Sequence, residues 1–167
     1  MCAFKFGDEV IICDMGFYLP EVIRLQEEEV VKGNLTREEL IQLRVVPNDT
    51  VIDHWRHLVK AIVLPHCHLD HIGAVPYLAD RYDCPIYAAP YTLEILKINL
   101  RDERIRIKNK LRLLNANEKV KVTKNISLEF LPIPHSTPQT MLAVFHTPEG
   151  ALIYGNDFKF DKIATLG

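Results

Sequence analysis

The residues best suited to chemistry lie in Leu64-Pro65-His66-Cys67-His68-Leu69-Asp70-His71-Ile72-Gly73, which sets four cation ligands into six positions. Imidazole and carboxylate both hold divalent ions, and a held ion can make water a nucleophile near neutral pH. In extended backbone, side chains two apart point to the same side. The spacing therefore lets His66 and His68 grip one ion. Asp70 and His71 open the next helix and aim elsewhere, toward a second ion, and a carboxylate there suits the positive end of a helix. A solvated turn is the bland alternative, but no apolar face explains His-x-His-x-Asp-His at the end of Ala61-Ile62-Val63-Leu64.

That apolar run reads as a strand. Ile72, Val75, Leu78 and Ala79 mark the buried side of one helix through about Tyr82, with Pro76 in its first turns, where a missing N–H costs least. Three further candidates follow strand patterns: Asp14 after 10–13, His135 after 126–130, and Asp157 after 151–154. In open α/β sheets, the C-terminal ends of strands are where sites assemble. Taken alone, Asp14 is equally a turn-forming aspartate and His135 equally a structural histidine. His146, inside an apolar strand, reads as structural. His54 and His57, beside Trp55, Arg56 and Lys60, read as a surface segment. Cys67 is turned by alternation toward the wall opposite its histidine neighbours.

The positioning elements follow from local pattern. Residues 3–6 and 10–13 form a hairpin about Gly7-Asp8-Glu9. Residues 17–32 read as irregular and acidic, with Glu27-Glu28-Glu29 a solvated face. Thr36-x-x-Glu39 is a capping box opening a helix to about Leu43, and Pro47-Asn48-Asp49 ends it. Residues 85–88 read as a strand and 91–100 as an amphipathic helix; this βαβα rhythm predicts layered α/β architecture. After residue 111 the pattern turns to strands, including a hairpin about Pro148-Glu149-Gly150. Residues 101–112 carry a local excess of basic side chains, either a positive edge for a nucleic-acid backbone or a salt-bridged loop.

A length of 167 residues suits one domain, and 48% hydrophobic with 25% charged residues is ordinary for a soluble protein. No apolar run approaches the roughly 20 residues that span a bilayer, and no basic-then-apolar leader is present. Cys2, Cys13, Cys67 and Cys84 make no CxxC pair, so reduced thiols in a cytoplasmic protein are expected. The net charge of −2 gives no global sign of nucleic-acid binding, although bound cations can themselves meet phosphate charge.

The His-x-His-x-Asp-His motif resembles the metal signature of the metallo-β-lactamase fold. Its flanks HLDHIGAVPYLADRYDCPIYAAPYTLEILK, LEFLPIPHSTPQTMLAVFHTPEGALIYGNDFKFD and VIICDMGFYLP are similar to the archaeal ribonuclease J family, in the β-CASP nuclease branch, over nearly all 167 residues. The resemblance implies an α/β protein with an αββα sandwich. Residues 1–167 would be its first part, with the β-CASP domain and the C-terminal part not in this chain. It assigns His66, His68 and His135 to a first metal, Asp70 and His71 to a second, and Asp157 to both. It gives Asp14 a hydrogen bond from a ligand histidine, and gives Asp70 the further task of orienting or deprotonating water. Zinc is the expected metal, with manganese the alternative. Ser136 matches what members carry after the histidine, although a hydroxyl bonded to nearby backbone is the simpler reading. Asn156 replaces a small residue, a change expected to leave ligation alone.

The implied activity is 5′-to-3′ exonucleolytic hydrolysis of single-stranded RNA, with endonuclease action and DNA left open, by a cytoplasmic homodimer without membrane contact. The family draws a further histidine for its second metal from outside this stretch. A weak second site and little activity in isolation are therefore expected. Two alternatives stay open: another hydrolase of the same fold, acting on a thioester, lactone or lactam, and a non-catalytic metal-binding fragment.

Overall fold

The structure, a computed structural model, describes residues 1–28 and 35–160. A five-stranded sheet holds β1 (Cys2–Phe6), β2 (Glu9–Cys13), β3 (Val59–Leu64), β4 (Ile86–Ala88) and β5 (Leu111–Leu113) in that order. β2 to β5 run parallel, and β1 pairs antiparallel with β2 through the expected hairpin. A second, antiparallel sheet holds β6 (Lys119–Lys121), β7 (Ser127–Pro132), β8 (Met141–Thr147) and β9 (Gly150–Tyr154).

The near-continuous apolar text of β2 and β3 is what a sheet covered on both faces requires. Alternation then divides these strands between two cores. Val10, Ile12, Ile62, Leu64 and Ile86 face the helices. Ile11, Cys13, Ala61, Val63 and Tyr87 face Leu128, Phe130, Ala143 and Phe145 of the second sheet. Helices cover only the five-stranded sheet among the described residues, giving three of the four layers of an αββα sandwich.

The helices are α1 (Leu19–Glu27), α2 (Arg37–Gln42), α3 (Leu69–Ile72), α4 (Val75–Leu78) and α5 (Pro90–Asp102). α2 has its capping box: Thr36 Oγ1 accepts from the Glu39 N–H, and the Glu39 carboxylate accepts from the Thr36 N–H at 2.7 Å. α1 corrects the irregular reading of residues 17–32. Pro20 starts it, Val22 and Leu25 are buried three apart, and Arg24 links Glu21 and Glu28 at 2.7 and 2.8 Å. The acidic surface text had masked that apolar pair. Residues 29–34 lie outside the described residues, and with them the end of that stretch from Glu29 on.

The single helix expected through Tyr82 is also corrected: it is α3, α4 and a 3-10 turn (Ala79–Arg81). Pro76 has no N–H for the Ile72 carbonyl, and the Ala74 N–H leaves the helix to donate to the Met15 carbonyl at 2.8 Å. His54 and His57 sit exposed on a 3-10 segment (Asp49–Leu58). The basic stretch after α5 enters β5 at its N-terminal end. The metal-type motif leaves β3 at its C-terminal end, so the parallel sheet puts the two at opposite ends.

Candidate metal centre

β3 delivers the motif and two neighbours fix its exit. The Met141 N–H donates to the Pro65 carbonyl at 3.0 Å, tying the turn to the second sheet. On the other side, residues 14–17 lie alongside the turn. Asp14 N–H donates to Val63 O at 3.1 Å, Met15 N–H to His71 O at 2.7 Å, and Phe17 N–H to Leu69 O at 2.9 Å. The seam is so close that a Cβ on Gly16 would lie 1.5 Å from the Asp70 carbonyl oxygen, which only glycine tolerates. Asp14 adopts the left-handed region at φ 62°, one of the few side chains that does so readily.

That conformation aims the buried Asp14 carboxylate at two partners. Its Oδ2 accepts from His71 Nδ1 at 2.8 Å and from the Tyr154 hydroxyl on β9. His71 Nε2 is thereby turned outward, 3.6 Å from Asp70 Oδ2 and 3.6 Å from Asp157 Oδ2. Burial pulls the His71 pKa down, but the Asp14 bond and the surrounding carboxylates outweigh it, and the net shift is upward.

His66, fully buried, and His68 form a triangle with His135, which the loop after β7 supplies. The ring centroids stand 4.9 Å (66–68), 5.1 Å (66–135) and 5.0 Å (68–135) apart. His135 Nε2 lies 3.3 Å from His68 Nδ1 and 3.8 Å from Asp157 Oδ2. Desolvation, reinforced by the neighbouring imidazoles, pushes the His66 pKa down to about 3. His135 is lowered for the same reasons. Neutral imidazoles offer the lone pairs that a cation takes.

One ligand atom from each of His66, His68, His135 and Asp157 lies within 4.8 Å of the others, and the same holds for Asp70, His71 and Asp157. Asp157 belongs to both groups. The residues fit a cation on a second ground: His66 Nε2 is buried without a hydrogen-bond partner, a state that costs about 1–3 kcal/mol unless something meets the lone pair. The site is buried at His66 and open at Asp70 and Asp157, which are exposed.

Other candidates fall outside the cluster. Cys67 is buried in the helix-side core, its thiol pushed up by desolvation. His146 pairs with Glu129 at 2.7 Å. Three contacts were not foreseen. Ser136 Oγ lies 3.3 Å from His68 Nε2, which corrects the expected bond to nearby backbone. Asn156 Nδ2 lies 2.9 Å from His66 Nδ1, so the residue expected to leave ligation alone touches a candidate ligand. Tyr154 holds Asp14. Its only sequence signal is the alternation with Leu152, which turns both toward the inter-sheet core.

A model of the metallo-beta-lactamase superfamily matches residues 59–165. Ribonuclease J of Methanocaldococcus jannaschii is 47% identical over 168 residues, covering 100% of this chain and 37% of that protein. Ribonuclease J of Pyrococcus abyssi is 42% identical over 164 residues, covering 97% of this chain and 36% of that protein. The chain thus spans little more than a third of the length of these relatives. A metallo-β-lactamase HARLDQ-motif mutant from Cronobacter sakazakii has a similar fold, with TM-score 0.60 and 13% identity over 98% of this chain and 58% of that one. With the superfamily model matching well over half of its residues and the His/Asp cluster at the strand ends, this chain belongs to the metallo-β-lactamase superfamily.

Proposed function

We propose that this chain is the metal-binding part of a ribonuclease that hydrolyses RNA phosphodiesters. The observation that carries the reading is Asp157, whose carboxylate stands within reach of both donor groups, as a site for two adjacent cations requires. Nitrogen-rich donors on one side and two carboxylates with one imidazole on the other suit zinc, with manganese as the alternative.

When bound, such a pair of ions lowers the pKa of water and neutralises charge on phosphoryl oxygens. The chain's own residues do the rest. His66, His68 and His135 would hold the first ion, and Asp70 and His71 the second, with Asp157 within reach of both. Asp14 keeps the proton on His71 Nδ1 and leaves Nε2 for the metal. Asp70, exposed beside His71 Nε2, would help hold the second ion and would orient the attacking water or accept its proton.

The two ribonucleases J support RNA as the substrate. Attack from the 5′ end of a single strand, by a cytoplasmic homodimer, extends the family resemblance. The test compares this chain with a polypeptide spanning the relatives' full length, on single-stranded RNA and on thioester, lactone and lactam substrates. The longer polypeptide should release mononucleotides from the 5′ end, stop on chelation, and lose activity on His68→Ala. This chain alone should do little. Hydrolysis of the other substrates with RNA left intact would contradict the proposal.

A further inference from the structure

Asn156 follows β9 and immediately precedes Asp157. Its amide nitrogen lies 2.9 Å from His66 Nδ1. Two buried atoms beside this contact lack partners, His66 Nε2 and Asn156 Oδ1. A neutral imidazole carries one N–H and one lone pair, and the hydrogen bond at one nitrogen decides what the other offers. His66 has only Nε2 left to offer a cation, because Asn156 covers Nδ1. For Nε2 to present a lone pair, the proton must sit on Nδ1, and Nδ1–H needs an acceptor. A half-turn of the amide about Cβ–Cγ brings Oδ1 to the nitrogen's position and supplies one. The opposite arrangement, with the amide donating to Nδ1, leaves a proton on Nε2 facing the cluster and closes the ligand.

We infer that Asn156 is a positioning residue whose amide oxygen accepts the His66 Nδ1–H and fixes the tautomer that turns Nε2 toward the first metal. The inference rests on the cluster being a metal site but not on RNA as the substrate. It also separates the two halves of the centre. His71 is oriented by a carboxylate, Asp14, whereas His66 is oriented by a neutral amide, so the first site gains geometry without a further negative charge.

Two variants separate an acceptor from a donor or a space-filler. Asn156→Leu keeps the size and removes both functions. Asn156→Asp keeps the size and an acceptor but cannot donate. Zinc affinity is measured by competition with a chromogenic chelator. The His66 ring protons are read from long-range ¹H–¹⁵N correlations of the zinc-loaded, ¹⁵N-histidine-labelled protein, and thermal unfolding of the metal-free variants checks folding. Losing an outer partner of a metal-bound histidine costs about 10- to 100-fold in affinity. The leucine variant should lose that much at the first site, while the aspartate variant keeps wild-type affinity within a few-fold and shows the proton on Nδ1. If Asn156→Leu does not fold, Asn156→Asp decides alone. Aspartate binding zinc as weakly as leucine, leucine binding as well as wild type, or a proton on Nε2 would each overturn the inference. Failure of the wild-type protein to take up zinc overturns it together with the metal reading. Zinc uptake by this chain, with RNA left uncleaved by the polypeptide spanning the relatives' full length, overturns only the ribonuclease reading.

Discussion

Asp14 serves two partners through one oxygen, donated to by His71 and by Tyr154. Asp14→Ala should therefore weaken zinc at the Asp70–His71 site by about 10- to 100-fold and spare the His66–His68–His135 site, as metal titration would show. Tyr154→Phe removes one hydrogen bond and should cost about 0.5–1.5 kcal/mol of stability, with a smaller loss of affinity. His66 gives the metal-free protein a pH signature. Its folded pKa is lowered to about 3, against about 6.5 when unfolded, so between these values the unfolded chain binds more protons. Stability thus falls as pH drops below about 6.5 and keeps falling toward 3. His135 acts with the same sign. His71, with its raised pKa, contributes stability that is fully present below about 6.5 and is lost as pH rises through its folded pKa. Urea midpoints in chelator at two pH values should show a smaller acid loss for His66→Gln than for wild type. The four candidate ligands of the turn were legible because their spacing is local. Asp14, His135 and Asp157 needed the rule that strand ends assemble sites, together with the family resemblance. Tyr154 and Asn156 were not legible, since their partners lie 140 and 90 residues away and depend on sheet register.

At the scale of elements, two seams separate stability from metal binding, one against the motif and one away from it. Gly16 lies against the backbone of Asp70, which a flexible side chain cannot relieve. Gly16→Ala should cost on the order of 3 kcal/mol in urea unfolding and also weaken the second metal site, because the loop that yields carries Asp70 and His71. Asp49 is the other seam. Fully buried, it accepts from Arg37 and from the Tyr82 hydroxyl at 2.9 Å, and it forms an ion pair with Arg81 Nε at 2.9 Å. Asp49→Ala removes the buried carboxylate that Arg37, Arg81 and Tyr82 share, leaving the guanidiniums only Glu38 and Asp53 at the surface, and should cost about 3 kcal/mol, with zinc affinity unchanged in the folded fraction. Strands were easy to read because period-two alternation and apolar runs survive burial on both faces. α1 was hidden by acidic surface residues around the Val22–Leu25 pair. The break between α3 and α4 arises from Pro76 together with a distant acceptor, the Met15 carbonyl.

For the whole molecule, two apolar cores bracket the five-stranded sheet without help from any ligand. Chelation should therefore leave the far-ultraviolet circular dichroism spectrum unchanged and lower the thermal midpoint only by the lost binding free energy. The basic loop sits at the end of the sheet away from the cluster, so charge reversals there should leave zinc affinity untouched. Anomalous scattering at the zinc edge, from crystals grown with zinc, measures the convergence itself. The expected map has a strong peak bonded to His66, His68, His135 and Asp157, which supply four donors, and a weaker one at Asp70, His71 and Asp157, which supply three. No peak among these residues, or zinc held elsewhere in the chain, would contradict the two-cation centre.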